Sequence, residues 1–322
     1  MSKLIGTNPN QVPSNADLGT AAFMDKKEFL LSKGSEMSAI NAVISKTAVD
    51  VFVYDTSKDS DGGAWRKRTQ HTSWYNEKLN TTTRGTRKEF PSVAVIVAEV
   101  DTVTIYDGDD PDMPMWMVFL NGVWSSYALT SNQTLTTVAA KNGGVAAGSS
   151  TYGYKHINFI SELGRFRENG YNHLLNGGVV NRNGGMTATL APEGLAGELV
   201  GDTVHDIAIT VLPNAPIDAD TGLPVPTIAV GTSTGLSIIK DDGTVINRST
   251  SFVNSGDPGG VRDISFDNNN GYWYTNSHYP PTSGSTSHAA VLGHTSSINT
   301  TGALVSSDNQ NYSELMLAIG SD

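Results

Sequence analysis

"VHDIAITVLPN", residues 204–214, and "VRDISFDNNNG", residues 261–271, align as V-x-D-I with an offset of 57 residues. A second strand follows each, "TIAVGTSTG" in the first copy and "GYWYTNS" in the second, and then further strand-like segments. In the first copy these are "LSIIKDDGTVI", a hairpin on an Asp-Asp-Gly turn. A third candidate copy, "YSELMLAIGSD", occupies residues 312–322. Repeats of roughly 40–50 residues containing four short strands are the pattern of propeller blades, and here the excess length falls in "NAPIDADTGLPVP" and "HYPPTSGSTS". The expectation is therefore a mainly β chain with propeller-like repeats of short antiparallel strands; coincidental strand similarity in a sandwich is the competing reading.

Working outward, the same texture runs back to Thr47. "VDVFVYDT" alternates and is β-branched, "DSDGG" reads as a turn, and "AWRKRTQHTSW" reads as the returning strand of a hairpin. "PSVAVIVAEVDTVTIYDGDD" gives two strands about a short turn, "MPMWMVF" another, and "LTTVAAKNGGVAAGSST" a pair around "KNGG". A ring of blades protects its strand edges only when closed. The third copy breaks off in mid-pattern, so either "VDVFVYDT" completes the last blade or the polypeptide continues beyond Asp322.

Composition agrees with β structure: charged residues are 16% of the chain, against about 25% in ordinary domains, and there are 33 glycines. A helical face appears in one place. From Asp25, a candidate N-cap with Glu28 three positions on, "DKKEFLLSKGSEMSAINAVISK" spaces Phe29, Leu30, Met37, Ile40, Val43 and Ile44 at loosely helical intervals, interrupted by Gly34. Ahead of it, "IGTNPNQVPSNADLGTAAFMD" has no apolar periodicity. This divides the chain into an extended arm (1–24), a short helical segment (25–46) and a β domain (47–322).

With 21 Lys and Arg against 32 Asp and Glu, the formal charge of −11 argues against nucleic acid as a partner. There is no cysteine, so disulfides, zinc-thiolate sites and a cysteine nucleophile are excluded. "MSKLIGTNPNQ" lacks the apolar core of a signal peptide, and no run approaches the roughly 18 apolar residues of a membrane span. The expectation is a chain made in a cytoplasm, without membrane insertion.

The arm resembles the N-terminal arm of bacteriophage virion proteins, particularly tail fibres and related tail proteins of marine phages, where an "NQVPTNADLGTAAF"-like phrase opens the particle-bound end. "VYDTSKDSDGGAWRKRTQHTSWYNE", "FPSVAVIVAE" and "VLPNAPIDADTGLPVPTIAVGTSTGLSIIKDDGTV" are also similar to stretches of phage structural proteins. The resemblance implies attachment to tail partners (adaptor, nozzle or tail tube), a place in the virion tail after assembly in the host cytoplasm, self-association as a trimer, and host attachment. It carries no catalytic constellation. An arm without a core gains order by lying along another protein, with Leu18, Phe23 and Met24 set in a groove; the competing reading is a disordered tail.

Candidate chemistry is sparse. "DSDGGAW", residues 59–65, resembles the aspartate box of sialidase-type propellers, but has one residue, Ala64, between the second glycine and Trp65 where the box has two. Asp61 and Trp65 read as fold residues. "DGDDPD", with Asp107, Asp109, Asp110 and Asp112, gathers oxygen atoms but lacks the glycine and closing glutamate of a calcium loop. Asp218 and Asp220 make a similar acidic loop, and Asp241 and Asp242 read as turn residues. His278, His288 and His294 are close in sequence at spacings unlike metal pairs. No nucleophile elbow, P-loop or dinucleotide fingerprint occurs. Arg66, Lys67 and Arg68 place alternate side chains on opposite faces, so they read as a solvated strand edge or a subunit contact rather than a phosphate site.

Asp206 and Asp263, equivalent in the repeat, are the carboxylates a glycosidase would need, yet repetition argues for a structural duty in every blade. Tyr272, Trp273, Tyr274 and Tyr279 offer aromatic faces for a surface glycan, or else fill the space between blades. The expectation is a non-enzymatic tail fibre or fibre-like virion protein with no cofactor, no metal and no catalytic residues. The alternatives are a receptor-binding lectin and a sialidase- or depolymerase-like enzyme.

Overall fold

The computed structural model describes residues 46–122, 127–130, 134–191, 197–249, 260–267, 271–278 and 289–295. The arm and the helical segment up to residue 45 lie outside them, and with them Leu18, Phe23 and Met24.

The chain is mainly β, and its described residues build four antiparallel sheets in succession, each with its strands in chain order. The first holds β1 (Asp50–Asp55), β2 (Val93–Ala98), β3 (Val103–Asp107) and β4 (Met115–Phe119). The second has six strands: β5 (Leu135–Lys141), β6 (Gly144–Ser149), β7 (Tyr154–Asn158), β8 (Gly164–Glu168), β9 (Tyr171–Asn176) and β10 (Thr187–Leu190). The third comprises β11 (Val204–Thr210), β12 (Thr227–Thr232), β13 (Gly235–Ile239) and β14 (Val245–Ser249). The fourth comprises β15 (Val261–Phe266), β16 (Tyr272–His278) and β17 (Ala289–Thr295). The hairpin on Asn142-Gly143 forms as the sequence predicts, with both residues in the left-handed region (φ 49° and 73°), and so does the hairpin joining β13 and β14.

Both faces of the inner sheets are apolar, so the sheets stack face to face. One face of sheet two (Val138, Ala140, Val145, Ala147, Ile157, Phe166) packs on Ala94, Ile96, Val103 and Ile105 of sheet one. Its other face (Ala139, Ala146, Tyr154) packs on Ile207, Ile228, Val230 and Ile239 of sheet three. The far side of sheet three, with Ala229, Leu236 and Ile238, meets Ile264, Tyr272 and Tyr274 of sheet four.

The V-x-D-I motif explains how successive sheets are joined. Asp206 accepts hydrogen bonds from its own neighbour, Ile207 N–H (2.8 Å), and from Ile264 N–H of the next sheet (2.8 Å), while the Thr137 hydroxyl of the previous sheet donates to it at 3.2 Å. Asp50 repeats the arrangement, accepting from Val51 N–H at 2.7 Å and from Val138 N–H of sheet two at 2.8 Å. Opposite Asp206 and Thr137 on the second strands stand Gly231 and Gly148. A Cβ on Gly148 would lie 2.5 Å from Val204 Cγ1, and one on Gly231 would lie 2.9 Å from Val261 Cγ1. The valine of each motif thus presses on a glycine of the sheet before it, and only glycine leaves the room.

Two expectations are corrected. "AWRKR" is no returning strand: Ala64–Arg68 is a 3₁₀ turn, and β1 pairs instead with β2. Gly63 enters that turn at φ 79°, and the segment from 56 to 92 folds as a plug carrying the fully buried Trp65, Trp74 and Phe90. Each buried indole finds an acceptor: Trp65 in Asp59 Oδ2 (2.8 Å), Trp74 in Phe159 O (2.8 Å), and Trp116 of β4 in Glu89 O (2.9 Å). These tertiary bonds outcompete the strand pattern. β1, secondly, lies in the first sheet and does not complete the last.

Candidate functional site

Sheets two and three touch closely near their first strands, where Gly148 admits Val204, and diverge toward their outer strands. A cleft of about 390 Å³ opens there. Strict alternation places its first wall: Tyr154 and His156 of β7 share a face with Arg165 and Arg167 of β8, because His156 stands opposite Arg165 and Tyr154 opposite Arg167. Lys141, at the end of β5, extends this wall. The second wall comes from sheet three. It consists of the loop carrying Asp218 and Asp220 and the turn carrying Asp241 and Asp242, over an apolar floor of Leu223, Ile228 and Ile239.

The groups in the cleft differ in how far they are engaged. Asp218 accepts from Asp220 N–H (2.9 Å) and Thr221 N–H (2.8 Å), and so shapes its own loop. Asp242 accepts from Thr244 N–H and hydroxyl and pairs with Lys240 at 3.1 Å. Hydrogen bonds from Thr244 and the ammonium of Lys240 hold its carboxyl down to about 2. Lys141 donates to Lys58 O, Arg167 to Gly197 O, and Arg165 to Asn172 Oδ1 at 3.3 Å. The His156 ring lies over Gly144, where a Cβ would come 2.2 Å from Nε2. Burial, with Arg165 beside it, brings its pKa down to about 4, so the imidazole is neutral at physiological pH.

The aromatics marked in the sequence are divided by the strand alternation. Tyr272 and Tyr274 point into the layer between sheets three and four, where the Tyr272 hydroxyl accepts from Arg248 at 2.6 Å, and this burial removes both from surface glycan contact. Trp273 faces the other way, 43% exposed, opposite Ser265. Tyr279 lies outside the described residues.

Asp206 commits both carboxylate oxygens to holding sheets together, and burial raises its pKa despite these bonds. Asp263 accepts from Thr275 within its own sheet at 2.6 Å. The two carboxylates therefore do not form a free catalytic pair. Asp61 accepts from Gly63 N–H at 3.1 Å and pairs with Arg68 at 3.0 Å, a fold role; the partner of Trp65 is Asp59. In "DGDDPD", Asp107 and Asp109 both bind Arg87 (2.9 and 2.7 Å). Burial pushes the Asp109 carboxyl up, but bonds from Ser92, Val93 and Arg87 bring it down to about 2. Asp110 caps Asp112 N–H.

His278 and His294 lie toward opposite ends of the β16–β17 pairing, opposite Ala289 and Trp273, and His288 lies outside the described residues. Among the described residues no three His, Asp or Glu side chains gather as metal ligands. His156 and its basic neighbours were missed by motif reading. Their signal is the appearance of His156, Arg165 and Arg167 in "YKHIN" and "GRFRE", next in the sheet to β5 and β6, which are buried along most of their length.

No family model matches the chain, and neither does any curated protein. Among solved structures, one that it is similar to is the computationally designed Ika4 protein, at 9% identity and a TM-score of 0.29, covering 68% of this chain and 98% of that one. Another is the extracellular domain of a protein named for a hybrid two component system of B. thetaiotaomicron, at 13% identity and a TM-score of 0.26, covering 60% of this chain and 25% of that one.

Proposed function

We propose that this chain is a structural protein of a bacteriophage tail, a fibre or fibre-like component held to the particle by residues 1–24. Its β domain is a propeller-like module that contributes to host attachment. The place in the virion rests on the likeness of residues 5–25 to phage tail arms. The observation that favours a structural role over a hydrolytic one is the allocation of the carboxylates. Asp50 and Asp206 bind the backbone of neighbouring sheets. Glu77 pairs with Arg84 and Arg182, and Glu162 accepts from Ser73 N–H and Val179 N–H.

The propeller reading is supported by β1, β5, β11 and β15, which pack one against the next while the outer strands spread apart, the wedge geometry of blades about an axis. The arm binds an adaptor, nozzle or tube protein, and the assembled form is a trimer. The test is deletion of residues 1–24 in the producing phage. The shortened chain should fold, melt as the full chain does, and be absent from purified particles. Incorporation at the normal level would overturn the proposal.

A further inference from the structure

We propose that residues 37–46 form a helix that lies over the outer face of sheet one and so fixes residues 1–24 to the β domain. The inference goes beyond the tail reading above and does not depend on it. It starts from a sheet face that is buried without a partner sheet. Alternate side chains of β1, β2 and β3 point away from sheet two: Val51 and Val53, Val95 and Val97, and Tyr106. Val97 is fully buried and Val95 is 2% exposed. The apolar residues packed around them come from sheet one itself, together with Ala48 and Met113, and none comes from sheets two, three or four. A valine in the middle of an open sheet face stays wetted on its outer side, so a further layer covers these two.

Two observations identify that layer. Lys46, where the described residues begin, is helical and exposed, and only Thr47 separates it from Ala48 of the buried cluster. A helix therefore ends at the rim of this face. Counting back from Lys46 at about 100° per residue places Met37, Ile40, Val43 and Ile44 within an arc of about 120°, turned away from Lys46. Ser38, Asn41 and Ser45 fall on the other side. The length also fits: a helix over residues 37–46 spans about 15 Å, and the strands of sheet one, about 4.8 Å apart, cover about 14 Å. Sheet four is a poor rival for the place. Asp263, Ser265 and Thr275 accompany Trp273 on its outer face, so folding that face back onto sheet one would bury polar groups against valines. With the helix in place, residues 1–24 leave the domain over sheet one, at the end of the series away from sheet four.

The chain has no cysteine, so a single introduced thiol reports on this face in the full chain. The thiol of Val97→Cys should react with a small aromatic disulfide about a hundredfold more slowly than that of Val100→Cys, whose site is 55% exposed. Adding Ile40→Asp with Ile44→Asp should speed the Val97→Cys reaction about tenfold or more, while Asn41→Asp with Ser45→Asp, on the other side of the helix, should leave it unchanged. The thiol of Val138→Cys, buried between sheets one and two, should stay protected throughout, which separates uncovering of the face from unfolding. A second measurement uses the unaltered sequence with labelled isoleucine and valine methyls, where nuclear Overhauser contacts should join Ile40 or Ile44 to Val95 or Val97. If the Ile40→Asp pair also exposes Val138→Cys, these contacts decide alone. Unchanged reactivity on adding the Ile40→Asp pair, equal effects of the two pairs, or contacts from Val95 and Val97 to Ile319 in place of Ile40 and Ile44 would each overturn the inference. So would contacts that appear on mixing separately labelled chains, because the cover would then be a second copy.

Discussion

Sheets one and two meet over aromatic rings and a buried ion-pair bridge, whereas sheets three and four meet over aliphatic side chains, two tyrosines and the single buried cation Arg248. In the first region Trp74, Phe90, Trp116 and Phe159 pack with centroids 4.8–5.7 Å apart, edge to face except for the tilted Trp116–Phe159 pair. Beside them Glu77, 8% exposed in its side chain, bridges Arg84 and Arg182. Those arginines also donate to backbone carbonyls of Trp116, Val118 and Thr83, so the charges tie the long segment after β1 to the edge of the first sheet. The second region needs no such plug: its strands are joined in order, and one carboxylate and one glycine per junction bring adjacent sheets together. A junction made of strands alone follows a repeat; one completed by an insertion must be closed by whatever the insertion carries.

The largest effect should come from breaking the charge bridge. In Glu77→Ala two arginines are left buried without their carboxylate, and a loss of about 3–5 kcal/mol is expected in urea unfolding. A loss below about 1 kcal/mol would mean that the rings alone hold the first region, and the contrast with the second would shrink to a difference in side-chain type.

Legibility in the sequence follows the same divide. The V-x-D-I repeat was readable because Asp206 and Asp263 occupy the same place in consecutive four-strand and three-strand meanders, where local pattern and tertiary role agree. The first sheet concealed its membership of the series. Between β1 and β2 lies the segment from 56 to 92, and its "AWRKRTQHTSW" alternates like a strand while its tryptophans are claimed by acceptors far along the chain. Asp50 sits in "AVDVFV", a motif too short to flag without the later copies. The cleft was illegible for another reason: His156 and Arg165 are nine positions apart and become neighbours only through the β7–β8 register.

A smaller but sharper break is available in the second region. Asp206→Ala removes the acceptor of Ile207 N–H, Ile264 N–H and the Thr137 hydroxyl together. Leaving those donors unmet should cost about 2–4 kcal/mol, with hydrogen exchange at Ile207 and Ile264 accelerating ahead of amides in β2 and β3. Uniform acceleration through all four sheets would show that the junctions unfold as one unit and that the two regions are not separable.

The smallest effect concerns a buried cation of the first region, Lys155 in β7. Lys155 donates to Tyr127 O (2.8 Å) and Thr130 O (2.7 Å) on the side of sheet two that faces sheet one, and burial brings its pKa down to about 7. The unfolded chain keeps a lysine proton up to about pH 10.4. Between pH 7 and that value the unfolded state therefore holds a proton that the folded state has released, and stability rises with pH. Below pH 7 the amine is charged in both states and contributes no slope. The carboxyl of Glu168, with a pKa of about 7, is half titrated at pH 7 and opposes the rise above it, so the Lys155 contribution is read as the difference between the unaltered protein and Lys155→Met. From about pH 7 to 9, unfolding free energy should increase by about 2 kcal/mol more in the unaltered protein than in Lys155→Met. Sheet-four amides, on the far side of sheet three from Lys155, should show no matching change in exchange. A profile no steeper than that of Lys155→Met would show that the Lys155 ammonium is solvated in the folded state, and the first region would then hold one buried charge fewer than its packing implies.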